Sequence, residues 1–256
     1  MTDLTLTLED GRTLGYAQYG PDSGCAVLYF HGTPSSRLEP QLLNVWGGSL
    51  QQLLQQYNIR LIAVDRPGMG LSTLHKERTY TSSADDAAAL LQHLGIQSCS
   101  VFCWSGGGPY ALALAQRFPH AITKVCVVAG ISLSFGDKEV FAQMGWNKVY
   151  FNTARYTPLL LQGTLEAVKH TNPTTPPQQS LYELSNADYA LIKNPEHLNA
   201  LLQYTVKEAV HISNAGAVQE AQLYFQPYPY LLQDVNVPVH FWWGTEDNVV
   251  TFEHAK

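Results

Sequence analysis

The chain has 256 residues, of which 45% are apolar and 14% carry a charged side chain. This charged share lies well below the roughly 25% of an average protein, which excludes a coiled coil, a collagen-like rod or a disordered acidic tail. Fifteen Lys and Arg against 21 Asp and Glu give a net charge of −6. Without a cationic face, neither nucleic acid nor an anionic membrane is expected as a partner.

The amino terminus and the cysteines bear on where the protein works. The first five residues do not resemble a signal peptide, and no apolar stretch approaches the ~18 residues of a membrane span. Together these features predict a cytoplasmic location, whereas the oligomeric state stays open. The cysteines form no CxxC pair and are expected to be reduced thiols buried in strands. They are Cys25, Cys99, Cys103 and Cys126.

The predicted elements begin with a β-hairpin, in which residues 4–8 alternate between apolar and polar side chains and residues 13–19 are rich in strand formers. Continuous apolar runs then recur, and such runs are typical of parallel strands buried on both faces. They lie at 26–30, 59–64, 99–103 and 124–129. Helical periodicity separates them, over 38–57, 83–94 and 107–118. This alternation predicts an α/β fold with a doubly wound, mostly parallel sheet.

The alternation of strands and helices stops after residue 130. Residues 131–234 have helical periodicity and no convincing strand, with a proline-rich break at 172–177. A strand returns at 237–243, so both ends of this segment meet the same sheet. This favours a helical cap, inserted at 131–234 into an α/β core made of 1–130 and 235–256, over a second independent domain.

Ser105 is the strongest candidate for a nucleophile. A predicted strand runs into Cys103-Trp-Ser-Gly-Gly107, and a predicted helix starts immediately afterwards. A serine on so tight a turn takes a strained backbone conformation, and the residues two before and two after it must be small. Cys103 stands where glycine is commoner. The alternative is an ordinary Ser-Gly loop.

A second loop, His31-Gly-Thr-Pro34, follows the strand at 26–30. Acyl transfer needs two backbone N–H donors aimed at the developing oxyanion. We expect one from Gly106, directly after the nucleophile, and the other from Thr33. His31 is expected to hold its own loop by hydrogen bonding rather than to act in catalysis. His31 and Trp104 are also candidates for the lining of a substrate pocket.

Four segments together resemble the α/β-hydrolase superfamily, and more narrowly its proline-iminopeptidase- and esterase-like members. They are His-Gly-Thr-Pro-Ser-Ser-Arg at 31–37, Asp-Arg-Pro-Gly-Met-Gly-Leu-Ser at 65–72, Ser-Gly-Gly-Gly-Pro-Tyr-Ala at 105–111 and Trp-Gly-Thr-Glu-Asp-Asn-Val-Val at 243–250. The resemblance covers essentially the whole chain. It implies a helical lid after the sixth strand and the chain order Ser…Asp…His. It also implies that the turn at 65–72 is structural, so Asp65 is assigned no chemistry.

Asp247 matches the acid of the triad that this resemblance implies. It follows the strand at 237–243 in a Gly-x-x-Asp-x-x-Val context. Such an acid orients a histidine and stabilises the imidazolium that forms when the histidine takes the serine proton. A solvated turn aspartate is the alternative role for Asp247, and Asp137 is a second candidate for the acid.

A base is required because a serine hydroxyl is a poor nucleophile at neutral pH. In the family the base is a histidine that lies after one more strand, and the sequence ends at Lys256 before such a strand. The last strand and helix, with the triad histidine, are therefore expected to be missing, so the 256-residue form is expected to be inactive or much slower with activated esters than an extended form. A truly truncated form without hydrolytic competence is the alternative. His254 is the substitute base, although its helix is expected to carry it away from Ser105.

The leading hypothesis is a serine hydrolase that cleaves an ester, or less readily an amide of a peptide-like substrate, through an acyl-enzyme. A serine nucleophile argues against epoxide hydrolase and haloalkane dehalogenase chemistry, whereas a perhydrolase or a C–C hydrolase would share the triad. A non-catalytic ligand-binding protein on the same scaffold is the alternative from another class. No metal-ligand cluster or phosphate loop is evident, so no cofactor is expected.

Overall fold

The computed structural model describes residues 3–179 and 184–255. Within these residues seven strands form one sheet: β1 (Leu4–Thr7), β2 (Thr13–Tyr19), β3 (Cys25–Phe30), β4 (Ile59–Val64), β5 (Cys99–Trp104), β6 (Ile122–Val128) and β7 (Val239–Trp242). The helices are α1 (Leu42–Val45), α2 (Leu50–Gln56), α3 (Tyr80–His93), α4 (Gly108–Arg117), α5 (Lys138–Ala142), α6 (Asn147–Tyr156), α7 (Pro158–Lys169), α8 (Asn186–Ile192), α9 (Pro195–Leu202) and α10 (Ala215–Leu223).

The strands follow the order β1-β2-β4-β3-β5-β6-β7 across the sheet. β1 and β2 form the predicted antiparallel hairpin, and β2 also pairs antiparallel with β4. The remaining pairs, from β4 through β7, are parallel. The doubly wound, mostly parallel sheet predicted from the sequence is therefore confirmed. β7 forms one edge of the described sheet, where Trp242 is 65% exposed.

Helices cover both faces of the sheet. On one face, Leu50 and Leu54 of α2 share a buried cluster with Tyr29 and Leu61. On the other face, the side chains of α3 and α4 pack with the inward-facing residues of the central strands, among them Val101. Side chains alternate between the two faces along a strand, so each parallel strand contributes to both layers.

One predicted helix is broken. The sequence predicts a single helix over 38–57, whereas the structure has a short turn at Glu39–Gln41, then α1, then α2. The break falls at Gly47, whose φ of +94° lies in a region that a residue with a side chain rarely adopts. Ser49 then begins α2, because its side chain accepts a hydrogen bond from the Gln52 N–H at 3.3 Å.

The helices α5 to α10 lie between β6 and β7 in the chain, in the segment where the sequence predicts helices. Phe151 of α6 and Ala217 of α10 belong to the same buried cluster as Val101 and Val127 of the sheet. Their apolar packing is thus continuous with that of the sheet. The division into a core and a cap at 131 and 234 stays a prediction.

The cysteines are free thiols, and the expectation of burial is only partly met. Cys99 and Cys103 are buried, but Cys25 is exposed and Cys126 is half-buried. Cys25 is the first residue of β3, at the end of the strand, and Cys126 faces a cavity on one side of the sheet. Within the described residues, no helix is both long enough and apolar enough to cross a membrane.

The register of the parallel strands brings four loops together. Phe30 of β3 pairs with Cys103 of β5, Cys103 pairs with Val127 of β6, and Val127 pairs with Phe241 of β7. The carboxyl ends of these strands therefore lie at one edge of the sheet. In open α/β sheets, ligands bind outside this edge.

We expect Gly107→Ala to destabilise the protein. A Cβ atom at Gly107 would lie 2.9 Å from the carbonyl carbon of Phe30, closer than two carbon atoms approach. Overpacking of this kind costs about 1–3 kcal/mol, and each kcal/mol lowers the Tm by about 2–4 °C in a chain of this size. Gly163→Ala is the matched control, because a Cβ at this α7 position meets no atom within 4 Å. It should raise stability by up to about 1 kcal/mol. Equal melting temperatures for the two variants would contradict the close approach of α4 to β3.

Candidate active site

Ser105 directly follows β5 and is the first residue of the short helical turn Ser105–Gly107 that leads into α4. Its φ is +50°, in the left-handed region that residues with a side chain seldom occupy. A conformation of this kind costs about 1–3 kcal/mol and persists only where the surrounding structure enforces it. The side chain is partly exposed at the carboxyl edge of the sheet. The strained turn expected for a nucleophile is present at this position.

The glycines after Ser105 allow the turn to pack against the loop that follows β3. A Cβ atom at Gly106 would overlap the Tyr224 hydroxyl and would lie 2.7 Å from Thr33 Cγ2. A Cβ atom at Gly32 would lie 3.6 Å from Ser105 Cβ. The two loops therefore touch through residues without side chains, and Ser105, Gly106 and Thr33 come together.

Two peptide groups in this contact are held through their carbonyl oxygens. The Ser105 carbonyl accepts a hydrogen bond from the Ile131 N–H at 2.9 Å, and the Gly32 carbonyl accepts one from Arg66 Nη2 at 2.6 Å. In a trans peptide the N–H points opposite to the C=O. The N–H groups of Gly106 and Thr33 thus point away from Ile131 and Arg66. Neither has a hydrogen-bond acceptor among residues 3–179 and 184–255.

A cavity of about 220 Å³ opens beside Ser105. Its walls come from the loop after β3, the loop after β6, the helix α6 and the loop after β7. They are formed by Thr33, Pro34, Ser105, Ile131, Met144, Trp146, Asn147, Tyr150, Phe151, Val249 and Val250. These side chains are mostly apolar and none of them is charged.

Asp247 lies in the turn that follows β7. Its Oδ1 accepts hydrogen bonds from the N–H groups of Val249 and Val250, both at 2.9 Å. The carboxylate is half-buried, and this burial raises its pKa. Val249 and Val250 line the cavity beside Ser105, so the turn of Asp247 forms one wall of the site. The carboxylate itself makes no hydrogen bond to Ser105 within the described residues.

Asp137, the second candidate for the acid, has another role. It precedes α5, and its Oδ1 accepts hydrogen bonds from the N–H groups of Glu139 at 2.8 Å and Val140 at 3.3 Å. This is the contact pattern of a helix N-cap. Its carboxylate is therefore engaged in starting α5.

His31 is fully buried beneath the loop and does not line the cavity. Its Nδ1 lies 2.8 Å from the Gly32 carbonyl, and its Nε2 accepts a weak hydrogen bond from the Arg66 N–H at 3.4 Å. Burial, together with the charge of Arg66, lowers the pKa of His31 well below its usual range. The ring is thus neutral and holds its loop, in the arrangement expected from the sequence.

Trp104 precedes Ser105 but lies on the other side of the sheet. Because side chains alternate along β5, Cys103 is buried on one face while Phe102 and Trp104 face the other. There they line a separate, apolar cavity of about 630 Å³ between the sheet and α2. The structure therefore does not bring Trp104 into the cavity beside Ser105.

His254 is buried, and its ring is engaged with the loop after β6. Its Nδ1 accepts hydrogen bonds from the N–H groups of Ser132 at 3.2 Å and Leu133 at 3.3 Å. Burial lowers its pKa to about 4, so the ring is neutral and a weak base. Among the described residues its Nε2 has no hydrogen-bond partner. Within the part of the chain that the structure describes, no histidine hydrogen-bonds to Ser105 or Asp247.

The sequence did not point to a buried group of charges below the loop at 31–33. Glu220 of α10 contacts Arg66 and Arg78, and all three side chains are essentially inaccessible to solvent. Arg66 belongs to the 65–72 motif, which could have drawn notice to it. Glu220 has no such signal, because nothing in the short sequence of α10 sets it apart from a glutamate on a surface helix. Among the described residues, no group of three or more His, Cys, Asp or Glu side chains could hold a metal ion.

Comparison with known proteins gives consistent matches. The family model of the α/β hydrolase fold matches residues 26–255. A proline iminopeptidase from Arabidopsis thaliana is 31% identical over 131 residues, which span 50% of this chain and 32% of that protein. A bifunctional esterase/perhydrolase from Acinetobacter calcoaceticus is 25% identical over 260 residues, covering 97% of this chain and 83% of that protein.

A carboxylesterase structure from Nitrososphaera gargenis matches with a TM-score of 0.68 at 17% identity, covering 96% of this chain and 82% of the other. At this identity the structural match shows the fold alone. Together with the family model and the relatives, it confirms the resemblance that the four sequence motifs predicted.

We expect His254 to make the protein acid-sensitive. Its pKa is about 4 in the folded state and about 6.5 in the unfolded state, so the unfolded state binds more protons as the pH falls below 6.5. Between pH 7.5 and pH 5 this lowers the free energy of unfolding by about 2 kcal/mol. His254→Asn keeps an acceptor for the Ser132 and Leu133 N–H groups but does not titrate. In urea unfolding at pH 7.5 and pH 5, the drop in the free energy of unfolding should be about 2 kcal/mol smaller for His254→Asn than for the wild-type protein. An equal loss in both proteins would contradict the buried, neutral ring.

Proposed function

We propose that this chain, which belongs to the α/β-hydrolase family, is a serine hydrolase that cleaves an ester through an acyl-enzyme on Ser105. The observation that carries the proposal is the position of Ser105. It has a strained backbone and faces a cavity beside two peptide N–H groups that lack acceptors among the described residues. This arrangement suits attack on a carbonyl carbon whose oxygen becomes negatively charged.

In the proposed reaction Ser105 Oγ attacks the ester carbonyl carbon and loses its proton to a histidine. The carbonyl oxygen becomes an oxyanion, which accepts hydrogen bonds from the N–H groups of Thr33 and Gly106. Collapse of this intermediate breaks the bond to the alcohol, which takes the proton from the histidine. Water then attacks the acyl-serine in the same way and releases the acid. Asp247 orients the histidine and stabilises the imidazolium.

The size and chemistry of the cavity favour a small, uncharged acyl group. Its volume of about 220 Å³ is below the roughly 300–1,000 Å³ of pockets that bind drug-sized ligands. The walls hold no charged side chain among the described residues, so the free amino group of a peptide substrate would find no carboxylate there. An ester therefore fits better than a peptide. The similarity to a bifunctional esterase/perhydrolase over nearly the whole chain supports the same choice.

A non-catalytic ligand-binding protein is the second candidate. It is favoured by one observation, which is that no described histidine hydrogen-bonds to Ser105 or Asp247. In this case the cavity would bind a small apolar ligand, and Ser105 would keep its backbone conformation without reacting.

Covalent labelling separates the two candidates. In the full-length protein an alkyl fluorophosphonate should modify Ser105. Ser105→Ala should lose the label and should hydrolyse p-nitrophenyl acetate about 10⁶-fold more slowly, as for other nucleophile removals. Ser100→Ala is the matched control on the same strand. Ser100 Oγ and Thr123 Oγ1 form a hydrogen bond at 3.0 Å, and Ser100 does not line the cavity beside Ser105. It should keep both properties. A protein that folds but neither labels nor hydrolyses the ester would support the binding protein instead.

The cavity also predicts a preference for short acyl chains. We expect kcat/KM to be higher for p-nitrophenyl butyrate than for the dodecanoate, since the longer acyl chain exceeds the cavity volume of about 220 Å³. Met144 is buried in the cavity wall, so Met144→Ala should raise the dodecanoate-to-butyrate ratio of kcat/KM by about tenfold or more. The ratio is independent of how much of each preparation is folded. An unchanged ratio would mean that the acyl group binds elsewhere.

A further inference from the structure

The charges beneath the loop at 31–33 connect that loop to α10. The Glu220 carboxylate accepts hydrogen bonds from Arg66 Nε at 2.5 Å and Nη2 at 2.9 Å, and from Arg78 Nη2 at 2.6 Å. It also accepts one from the Thr33 hydroxyl. Burial alone would raise the pKa of Glu220, but Arg66 and Arg78 lower it to about 2. Glu220 is therefore a carboxylate at neutral pH.

Arg66 uses the rest of its guanidinium on the loop itself. Nη1 donates to the His31 carbonyl, and Nη2 donates to the Gly32 carbonyl at 2.6 Å. The Gly32 carbonyl and the Thr33 N–H belong to one rigid peptide plane and point in opposite directions. By binding the carbonyl, Arg66 sets the direction of the Thr33 N–H.

Thr33 is thus held from two sides by one ion pair. Arg66 fixes the direction of the Thr33 N–H by binding the Gly32 carbonyl. Glu220 accepts a hydrogen bond from the Thr33 hydroxyl and also binds Arg66, which holds the guanidinium in place. A planar guanidinium matches this task, because its donors lie in a fixed geometry and can bind a carboxylate and two carbonyls at once. A lysine ammonium could not span the same acceptors.

From these contacts we infer that Glu220 and Arg66 are positioning residues for acyl transfer, which set the Thr33 N–H where it stabilises the oxyanion. The inference rests on the proposed function. It means that α10, from the helices between β6 and β7, acts on the reaction through the loop after β3 and without touching the substrate.

The test compares Glu220→Gln and Arg66→Lys with Glu208→Gln. Glu208 is the matched control. Like Glu220 it lies between β6 and β7 in the chain, and its Oε1 accepts a hydrogen bond from Nη1 of the buried Arg37 at 2.7 Å without contacting residues 31–33. Removal of one oxyanion donor lowers kcat by about 10²–10³-fold. For a misplaced donor we expect kcat to fall by at least about tenfold with KM changed by less than about threefold. Glu208→Gln should leave both near the wild-type values.

A second readout distinguishes positioning from loss of folded protein. A trifluoromethyl ketone forms a tetrahedral adduct with Ser105 that carries an oxyanion, so its inhibition constant follows transition-state binding. In Glu220→Gln and Arg66→Lys this constant should rise by the same factor by which kcat/KM falls. If Glu220→Gln does not fold, Glu220→Asp keeps the charge with a shorter reach and should show the same correlated losses.

Each outcome has one meaning. Correlated losses in the Glu220 and Arg66 variants, with Glu208→Gln unchanged, support the positioning role. If the Glu220 and Arg66 variants are labelled at Ser105 and have kcat and KM values like those of Glu208→Gln, the positioning role is overturned and the proposed function stays in place. A rise in KM at constant kcat also overturns it. Failure of the unaltered protein to label or to hydrolyse esters overturns the proposed function, and the positioning role with it.

Discussion

Two rigid peptide groups, Gly32–Thr33 and Ser105–Gly106, are each fixed through the carbonyl oxygen, and the rest of the site depends on this constraint. Because a peptide is planar, a donor that binds the carbonyl also sets the direction of the N–H on its far side. A backbone N–H from Ile131 does this for one group and the guanidinium of Arg66 does it for the other. The strained φ of Ser105 persists for the same reason, since its own carbonyl is held.

Fixing the Gly32 carbonyl requires the buried charge of Arg66, and neighbouring groups in the fold offset the cost of burying that charge. A buried arginine or glutamate is costly unless it is paired and its remaining donors and acceptors are satisfied. Arg66 meets this condition with Glu220 and two loop carbonyls. Arg78 meets it in part: its terminal nitrogens bind Glu220, the Pro67 carbonyl and the Tyr110 hydroxyl, but its Nε has no partner among the described residues. His31 stays neutral because of its burial and the nearby charge of Arg66.

The same network explains why α10 packs where it does. Tyr224, at the end of α10, donates its hydroxyl to the Gly106 carbonyl at 2.7 Å, one turn beyond Glu220. Gly216, near its start, packs so closely on Gly68 that a Cβ would lie 2.6 Å from the Gly68 Cα. The helix is therefore anchored to the turn of Ser105 at one end and to the 65–72 turn at the other.

Much of the fold and part of the site could be predicted from local sequence. The apolar runs gave the parallel strands, and a serine followed by three glycines between a strand and a helix indicated the strained turn at Ser105. The sequence predicts one continuous helix over 38–57 and no break at Gly47, because the helical periodicity continues across this residue. Its position directly before Ser105 predicts that Trp104 lines the cavity. Side chains alternate along β5, however, and Trp104 faces the other side of the sheet.

Glu220 and Tyr224 could not be found in this way. They lie more than a hundred residues from Ser105 in the chain and meet its loop only after α10 has packed against the sheet. Nothing in the local sequence of α10 distinguishes Glu220 from an exposed glutamate on a surface helix. The roles of Ser105, Thr33, Gly106 and Asp247 stay predictions, while the structure brings the first three together beside one cavity.

A crystal structure of the trifluoromethyl ketone adduct would test the central claim most directly. The account predicts a bond from Ser105 Oγ to the former carbonyl carbon, with the adduct oxygen about 2.7–3.1 Å from both the Thr33 and the Gly106 nitrogen atoms. An adduct oxygen that points away from these two nitrogens, or an inhibitor bound without a bond to Ser105, would contradict it.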